Sequence, residues 1–490
     1  MPLNAWLTSP RELPCADRIW SQVAANRGEE VGLALVVVVF EDESVTGFRP
    51  LAWSQPVCEL RCGLLNLRER ITHLTGYAPY LLVREFLQDL ALAHGHPVGA
   101  DALTRRLKAD DRLLLVNGRF GHRWDRLVEV VREAGQRDIA WRDDCGWLAL
   151  AAGGSSAVAL LASWVQWQIA AAESGCWHQT DRRPPVWQPT PPAAATTRDG
   201  SWRRIWDLIA ATAVAIGEDL ARLNAHLPAR TIWGAIAADA AATRWDEAVA
   251  LQSWREASPP NIHVKSREAV WVGPGCDLAP GLSIDASQGP VILGRDVRVM
   301  PHCYLEGPLY VGSGSLIKAG ASIYGETSLG AVNRVAGEIA ESTFLDFTNK
   351  QHDGFIGHAY LGSWCNLGAM TTCSDLKNNY GPIRVDLGDG PQDSGRRFLG
   401  LLMGEHGKTA IGTLFNTGSS VGFAANVFGA GFPAKFLPCF TWGNGGADAA
   451  APPPVRQDPE RALATAATVL ARRGCRLDPG HAAIFRALAG

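Results

Sequence analysis

Along the middle of the chain an aliphatic residue returns every six positions. Leu293, Val299, Leu305, Val311, Ile317, Ile323, Leu329 and Val335 hold one register, and Val272, Leu278 and Ile284 precede them after a single slip. A period of six suits neither the 3.6-residue repeat of a helix nor the alternation of a half-buried strand. It predicts a parallel β-helix in which each hexad forms one flat side of a triangular coil and the aliphatic side chain points into the prism. Small residues follow the aliphatic at Val272-Gly273, Val311-Gly312 and Leu329-Gly330, as a tight corner requires. The register breaks between Val335 and Phe355 and resumes with Phe355, Leu361 and Leu367.

Upstream the pattern changes. Leu33 to Phe40 (LALVVVVF) is a continuous apolar run of the kind buried on both faces of a parallel sheet. It ends in Glu41-Asp42-Glu43, which places acidic groups at the carboxyl edge of the strand, where open α/β sheets bind ligands. Pro50 to His73 reads as a loop followed by an amphipathic helix carrying Arg61, Arg68 and Arg70. A short strand, Leu113 to Val116, leads to Asn117-Gly118-Arg119, and Ala151 to Ala172 reads as a strand passing into a helix. Pro184 to Thr197 is a proline-stiffened loop, and Trp206 to Leu223 has helical spacing with Asp207 and Asp219 on its polar side. Strands alternating with helices predict an α/β domain over residues 31–240, a connecting helix over 241–267 and the β-helix over 268–443. Residues 1–30 show no periodicity and stand as an unassigned leader. Residues 444–490 hold an Ala/Pro linker and a final helix, Pro459 to Arg473, which would cover the open end of the solenoid or reach a neighbouring subunit.

Composition narrows the function classes. A chain of 490 residues is too long for one ordinary core. A net charge of −3 with a pI near 6.5 offers no polyelectrolyte surface, which argues against nucleic acid as a primary partner. The eleven cysteines are scattered, and Cys58 and Cys62 have no second pair at zinc-site spacing, so reduced and mostly buried thiols are expected. The longest apolar run, Val31 to Phe40, is too short to cross a bilayer, and with no signal peptide at the start a cytoplasmic enzyme without membrane contact is expected.

Particular motifs carry a resemblance. The stretches Gly337 to Tyr380 (GEIAESTFLDFTNKQHDGFIGHAYLGSWCNLGAMTTCSDLKNNY) and Phe398 to Gly443, with Phe40-Glu41-Asp42, PLAWSQPVCELRCG at 50–63 and Val116-Asn117-Gly118-Arg119, make residues 31–443 resemble a family of bacterial sugar nucleotidyltransferases. This is the bifunctional N-acetylglucosamine-1-phosphate uridyltransferase / glucosamine-1-phosphate acetyltransferase type, in a branch whose N-terminal domain lacks the Gly-x-Gly-Thr-Arg-Met phosphate loop. The resemblance implies a nucleotidyltransferase-like α/β domain followed by a left-handed parallel β-helix of hexapeptide repeats, assembled as a homotrimer. It implies acetyl transfer from acetyl-CoA to the amine of glucosamine-1-phosphate, then joining to UTP with Mg²⁺ to give UDP-N-acetylglucosamine or a similar nucleotide sugar.

The resemblance also assigns residues. His352 falls on the family's catalytic base, and imidazole has the right pKa to take an ammonium proton near neutrality. Phe355, where the family usually has tyrosine, and Asn366 fall on sugar-contacting positions. Asn379-Tyr380 matches a substrate-binding pair after an insertion at Asp375-Leu376-Lys377. Ala369 lies where the backbone faces the acetyl group of acetyl-CoA. Arg384 or Lys377 would neutralise the sugar phosphate, and Lys318, Arg334 and Lys350 are further candidates on spacing. Arg61 and Asn117 stand for nucleotide binding, and Asp42, Asp207 and Asp219 for the metal. Two alternatives stay open: nucleotidyl transfer to another sugar phosphate with the β-helix as trimer scaffold, or a non-enzymatic platform that senses a nucleotide sugar.

Overall fold

A computed structural model describes residues 35–100, 103, 107, 110–174, 184–198, 200–225, 261–444 and 455–489. The leader over 1–30 and most of the connecting helix expected over 241–267 lie outside the described residues.

The α/β domain is built on β1 (Leu35–Phe40), which pairs in parallel with β2 (Tyr80–Leu82) on one side and β3 (Arg112–Asn117) on the other. Its side chains alternate between two cores. Val38 and Phe40 join Trp164 and Trp206, whereas Val37 and Val39 join Leu87 and Leu127. Burial on both faces is why the run is apolar throughout instead of alternating. Two further strands, β4 (Ile139–Asp143) and β5 (Gly146–Gly153), form an antiparallel hairpin beside β3, with β6 (Thr196–Thr197) at the edge, in the order β2-β1-β3-β5-β4-β6. Helices α1 (Leu67–Thr75), α2 (Glu85–Ala93), α3 (Trp124–Gln136), α4 (Gly154–Glu173) and α5 (Ile205–Ala225) cover the sheet. α1 starts at a reciprocal Asn66–Glu69 capping box and stops at Gly76 in the left-handed region (φ 79°), so both its ends are written in local sequence.

The hexad residues stack as their spacing predicts. Leu293 lies over Val311 and Leu329, Val299 over Ile317 and Val335, and Ile284 over Leu305 and Ile323, in three parallel ladders. All nine side chains are buried. The result is a three-sided parallel β-solenoid, consistent with the expected left-handed β-helix. It begins at His263–Lys265, ahead of Glu268, and its last rung is Thr441–Trp442.

The gap between Val335 and Phe355 is not a break in the stack. Ile323 lies beside Ile339, Leu329 beside Phe344 and Val335 beside Lys350. Corners here are shorter, so the six-residue count slips while the coil continues, and Ile356 rather than Phe355 faces inward. The real excursion comes after Thr372–Cys373. An antiparallel hairpin, Arg384–Asp386 with Pro391–Asp393, leaves the coil, and Val385 within it and Ile383 and Leu387 flanking its first strand join the same core as Trp202 and Trp206. The ladder then resumes with Met403, Val421 and Leu437 over Leu361.

The two domains are fused along one flank. α5 runs against the solenoid strands Leu309–Val311, Thr327–Leu329 and Tyr360–Leu361. Polar bonds close the seam: Tyr360 donates to the Arg61 carbonyl (2.9 Å), Ser328 to the Gly63 carbonyl (2.7 Å) and Gln55 to Glu405 (2.9 Å). The C-terminal tail does more than the expected covering of the open end. Val455–Arg456 adds an antiparallel strand to Thr441–Trp442. Two helices, α6 (Pro459–Arg472) and α7 (Pro479–Ala487), then fill the angle between domains, where Leu463 and Phe485 share a core with Leu87 and Leu90 of α2 and with Phe423 and Phe440 of the solenoid. Gly480 of α7 approaches the Leu90 backbone too closely for any side chain. Among the described residues no helix is long and apolar enough to cross a membrane.

Candidate functional site

Two regions collect the chemistry, and the first is a corner of the solenoid. Between the strands Asn349–Lys350 and Phe355–Gly357 the chain turns through Gln351 to Gly354, with Gly354 at φ 125°, where a side chain would strike the Thr371 carbonyl. His352 is exposed here, and among the described residues no hydrogen bond or ion pair engages its ring. The next coil stacks directly on this corner. Met370 donates its backbone N–H to the Asp353 carbonyl (2.9 Å), and Gly412 one coil further donates to the Ala369 carbonyl (2.8 Å). The same offset of one coil, which sets Asn366 beside Asn349 and Met370 beside Asp353, places Ala369 beside His352. Met370 and Ile411, both exposed, add apolar surface at the same edge. Asn366 lies on the adjoining flat face between Asn349 and Lys408, and its side-chain oxygen accepts from Asn349 (2.5 Å).

Lys350 is not a surface cation. It occupies an inward position of the prism, 2 % exposed, and its ammonium donates to the carbonyls of Ala336 and His352 (2.8 Å each). Burial pushes its pKa down to about 8. It cannot reach a sugar phosphate at the surface and instead pins the corner that carries His352. Lys318, Arg334 and Lys350 were equivalent on spacing, and the inward or outward turn of a lysine is not encoded there.

The excursion holds the remaining sugar-site residues. Tyr380 is 64 % exposed, Asn379 accepts from Gly381 N–H (3.0 Å), Lys377 donates to the Pro382 carbonyl (2.6 Å), and Arg384 donates across the hairpin to Pro391 (2.9 Å). These bonds shape the turn, and all four side chains remain on the surface. Phe355 lies over Gly357, where a Cβ would also meet the Asp375 carboxylate (2.6 Å) at the start of the excursion.

Beside Phe355 sits a group the sequence did not announce. His358 bonds Asp375 through Nδ1 (2.8 Å) and Glu341 through Nε2 (2.6 Å), and Phe398 stacks on its ring (centroids 5.0 Å apart). Burial opposes the charge, but the bonds to Asp375 and Glu341 outweigh it and raise the imidazole to about 9. The residues come from three coils, so no local motif joins them.

The second region is a cavity of about 250 Å³ at the carboxyl edge of the α/β sheet. Glu43, Ser44, Arg119, Arg203 and Arg204 line it from one side, and Asp389 and Gln392 of the solenoid hairpin close the other. Around Gly146 (φ 133°), a Cβ would lie 3.8 Å from Arg119 Nη2, 3.8 Å from Asp42 Oδ2 and 4.0 Å from Glu43 Oε1, so two carboxylates and a guanidinium converge. Asn117 donates to Asp42 (2.7 Å), and Arg119 grips Asp143 with two bonds (2.6 and 2.7 Å). Burial, then the neighbouring Asp42, raises Glu43 to about 7. The acidic end of β1 thus stands where the pattern placed it.

The other expected nucleotide and metal residues are used differently. Asp219 is fully buried on α5 and accepts five hydrogen bonds, from Arg70 Nε and Nη2, Trp124 Nε1 and the N–H groups of Leu64 and Leu65. It is not on a polar face and has no capacity left for a cation. Asp207 accepts the N–H groups of Arg203 and Arg204 (2.9 and 3.0 Å) and pairs with Arg396 of the solenoid (3.2 Å). Arg61 lies in the domain seam, over the Tyr310 ring, and donates to the Leu64 carbonyl. Of the three expected Mg²⁺ ligands, Asp42 alone stands next to the cavity wall, where its Oδ1 accepts from the N–H and hydroxyl of Ser44 (3.0 and 2.5 Å) and its Oδ2 from Asn117. With Glu43 it offers the paired carboxylate oxygens that a hard divalent cation takes.

Residues 37–226 match the sequence profile of a sugar nucleotidyl transferase family. The chain is similar to the bifunctional protein GlmU of Methanococcus maripaludis, 32 % identical over 85 residues, and to that of Methanocaldococcus jannaschii, 31 % identical over 85 residues. These matches cover 17 % of this chain and 20 % and 21 % of the relatives. A bifunctional sugar-1-phosphate nucleotidylyltransferase/acetyltransferase of Sulfurisphaera tokodaii is 28 % identical over 143 residues, 29 % of this chain and 36 % of the relative. The chain therefore aligns with between a fifth and about a third of the length of these relatives.

Proposed function

We propose that the protein is a two-domain transferase acting on an amino-sugar phosphate, with acyl transfer on the solenoid and nucleotidyl transfer in the α/β domain. The observation that carries the reading is the His352 imidazole, exposed and unbonded at a corner that the buried Lys350 holds in place. In acyl transfer the sugar amine attacks the thioester carbonyl, His352 accepts the ammonium proton, and as the C–S bond breaks the imidazolium returns that proton to the departing thiolate, so coenzyme A leaves as the thiol. Ala369 in the adjacent coil would lie along the acyl group, with Met370 and Ile411 offering apolar surface to the thioester arm. Phe355 would stack on the sugar, Asn366, Asn379 and Tyr380 would bond it, and Arg384 or Lys377 would meet its phosphate.

In the α/β domain the cavity beside Arg203 and Arg204 would take phosphate groups. Mg²⁺ held by Asp42 and Glu43 would neutralise their charge. The finer reading is acetyl-CoA, glucosamine-1-phosphate and UTP as substrates, UDP-N-acetylglucosamine as product, and a cytoplasmic homotrimer. The family profile over residues 37–226 and the bifunctional names of the relatives support the two transfer steps, and the particular substrates, product and assembly rest on the sequence resemblance. Thiol release and pyrophosphate release, assayed separately with each sugar phosphate and nucleotide, test the two halves. His352→Ala should lower thiol release by roughly 10²–10⁴-fold and leave pyrophosphate release unchanged. Thiol release at the parent rate in that variant overturns the acyl-transfer assignment.

A second reading rests on the size of the cavity. At about 250 Å³ it lies below the roughly 300–1,000 Å³ of most ligand sites, and Arg61 and Gln55 of the 50–63 stretch are committed to the seam. In that reading the α/β domain holds a sugar phosphate without transferring a nucleotide. Pyrophosphate release absent with every NTP, alongside normal thiol release, would select it.

A further inference from the structure

Where α7 meets α2, side chains from opposite ends of the chain converge. His94 caps the C-terminus of α2, Asp478 is the N-cap of α7, and His481 lies in the first turn of α7. One ligand atom of each lies within 4.8 Å of the other two. The His94 and His481 rings stand 6.2 Å apart, and the His96 ring is 6.4 Å from His94. Behind them the solenoid contributes His406, 1 % exposed, whose ring centroid is 6.4 Å from that of His481 and whose two nitrogens have no hydrogen-bond partner.

Part of this arrangement is ordinary helix capping. Asp478 accepts the His481 N–H (2.9 Å) and its ring Nδ1 (2.5 Å), as an N-cap aspartate would. Capping explains neither the approach of His94 from another domain nor an imidazole buried behind the pair with both nitrogens unpartnered, an expensive arrangement in a protein interior. We propose that His94, Asp478 and His481 bind a divalent transition-metal ion of the zinc class, which fastens the C-terminal helices to the α/β domain. Two imidazoles and a carboxylate suit Zn²⁺, Co²⁺ or Ni²⁺ and not the oxygen-seeking Mg²⁺ or Ca²⁺. With Zn–ligand distances of about 2.0–2.2 Å, the three atoms reach one ion by small side-chain rotations.

The test uses the untagged full chain and Zn²⁺ alone, without nucleotide or thioester. Titration calorimetry should show one Zn²⁺ per chain, Co²⁺ should give visible d–d absorption, and chelation should lower the melting temperature. His94→Gln, Asp478→Asn and His481→Gln should each weaken Zn²⁺ by at least about 100-fold, since even an outer-shell partner of a ligand contributes about 10–100-fold. Asparagine keeps the cap and His94 is exposed, so two of these variants retain the fold, and circular dichroism checks all three. Absence of stoichiometric Zn²⁺ in the parent, or undiminished binding in folded His94→Gln and Asp478→Asn, overturns the proposal.

Discussion

His358 makes stability depend on pH in a defined direction. Its imidazole is raised from 6.5 to about 9 by Asp375 and Glu341 against the opposing effect of burial, so the folded chain holds a proton that the unfolded chain has released. The stabilisation is complete below pH 6.5 and is lost as the pH rises through 9; with the side chain only 16 % exposed, it amounts to at most about 3 kcal/mol. Denaturation midpoints should therefore fall between pH 6.5 and 9 in the parent, and that component should vanish in His358→Gln. A parent midpoint as pH-independent as the variant's would contradict the bonding described. Asp219 is the opposite case, a charge whose value lies wholly in its partners. Asp219→Ala leaves Arg70 buried without its carboxylate and should destabilise by about 3–5 kcal/mol, whereas replacing both by apolar residues should recover much of the loss. Urea unfolding of the single and double variants measures this directly.

At the scale of the element, the solenoid coil separates packing from chemistry. Phe344 fills the prism and is fully buried, so Phe344→Ala should cost about 3–5 kcal/mol. Leu414, 44 % exposed on an outer face, should tolerate alanine within about 0.5 kcal/mol. Lys350 combines both roles. Lys350→Met keeps the filling and removes the ammonium that holds the His352 carbonyl, so the melting temperature should move by only a few degrees. Thiol release should nonetheless fall, by about tenfold or more, because a shift of about 1 Å in a catalytic group can cost two orders of magnitude. Unchanged turnover in that variant would show that His352 needs no such anchor. The hexads announced this coil, but the shorter corners after Val335 did not, since a corner can lose residues while the inward ladder of Ile339, Phe344 and Lys350 stays in step.

Across the whole molecule, the α/β sheet, the solenoid and the tail are one packed unit. The seam residues Arg61, Gln55 and Tyr360, the hairpin pairs Arg204–Gln392 and Asp207–Arg396, and the insertion of α6 and α7 between domains make this so. Six-residue spacing was enough to specify a three-sided coil, because every inward position needs the same kind of side chain at the same interval. An unbroken apolar run was enough to specify β1, because burial on both faces leaves no polar position. The acidic end of that strand was legible for the same reason: chain order places it at the sheet edge. The fate of the charged side chains was not legible. Lys350, Arg61, Asp207 and Asp219 read as available cations and carboxylates, yet each is occupied, Arg61, Asp207 and Lys350 partly by chain neighbours and all four by groups brought to them in space, Asp219 by residues such as Arg70 that are 149 positions away. Burial patterns repeat locally and can be read locally, whereas the availability of a charge depends on which distant donors and acceptors the folded chain sets against it.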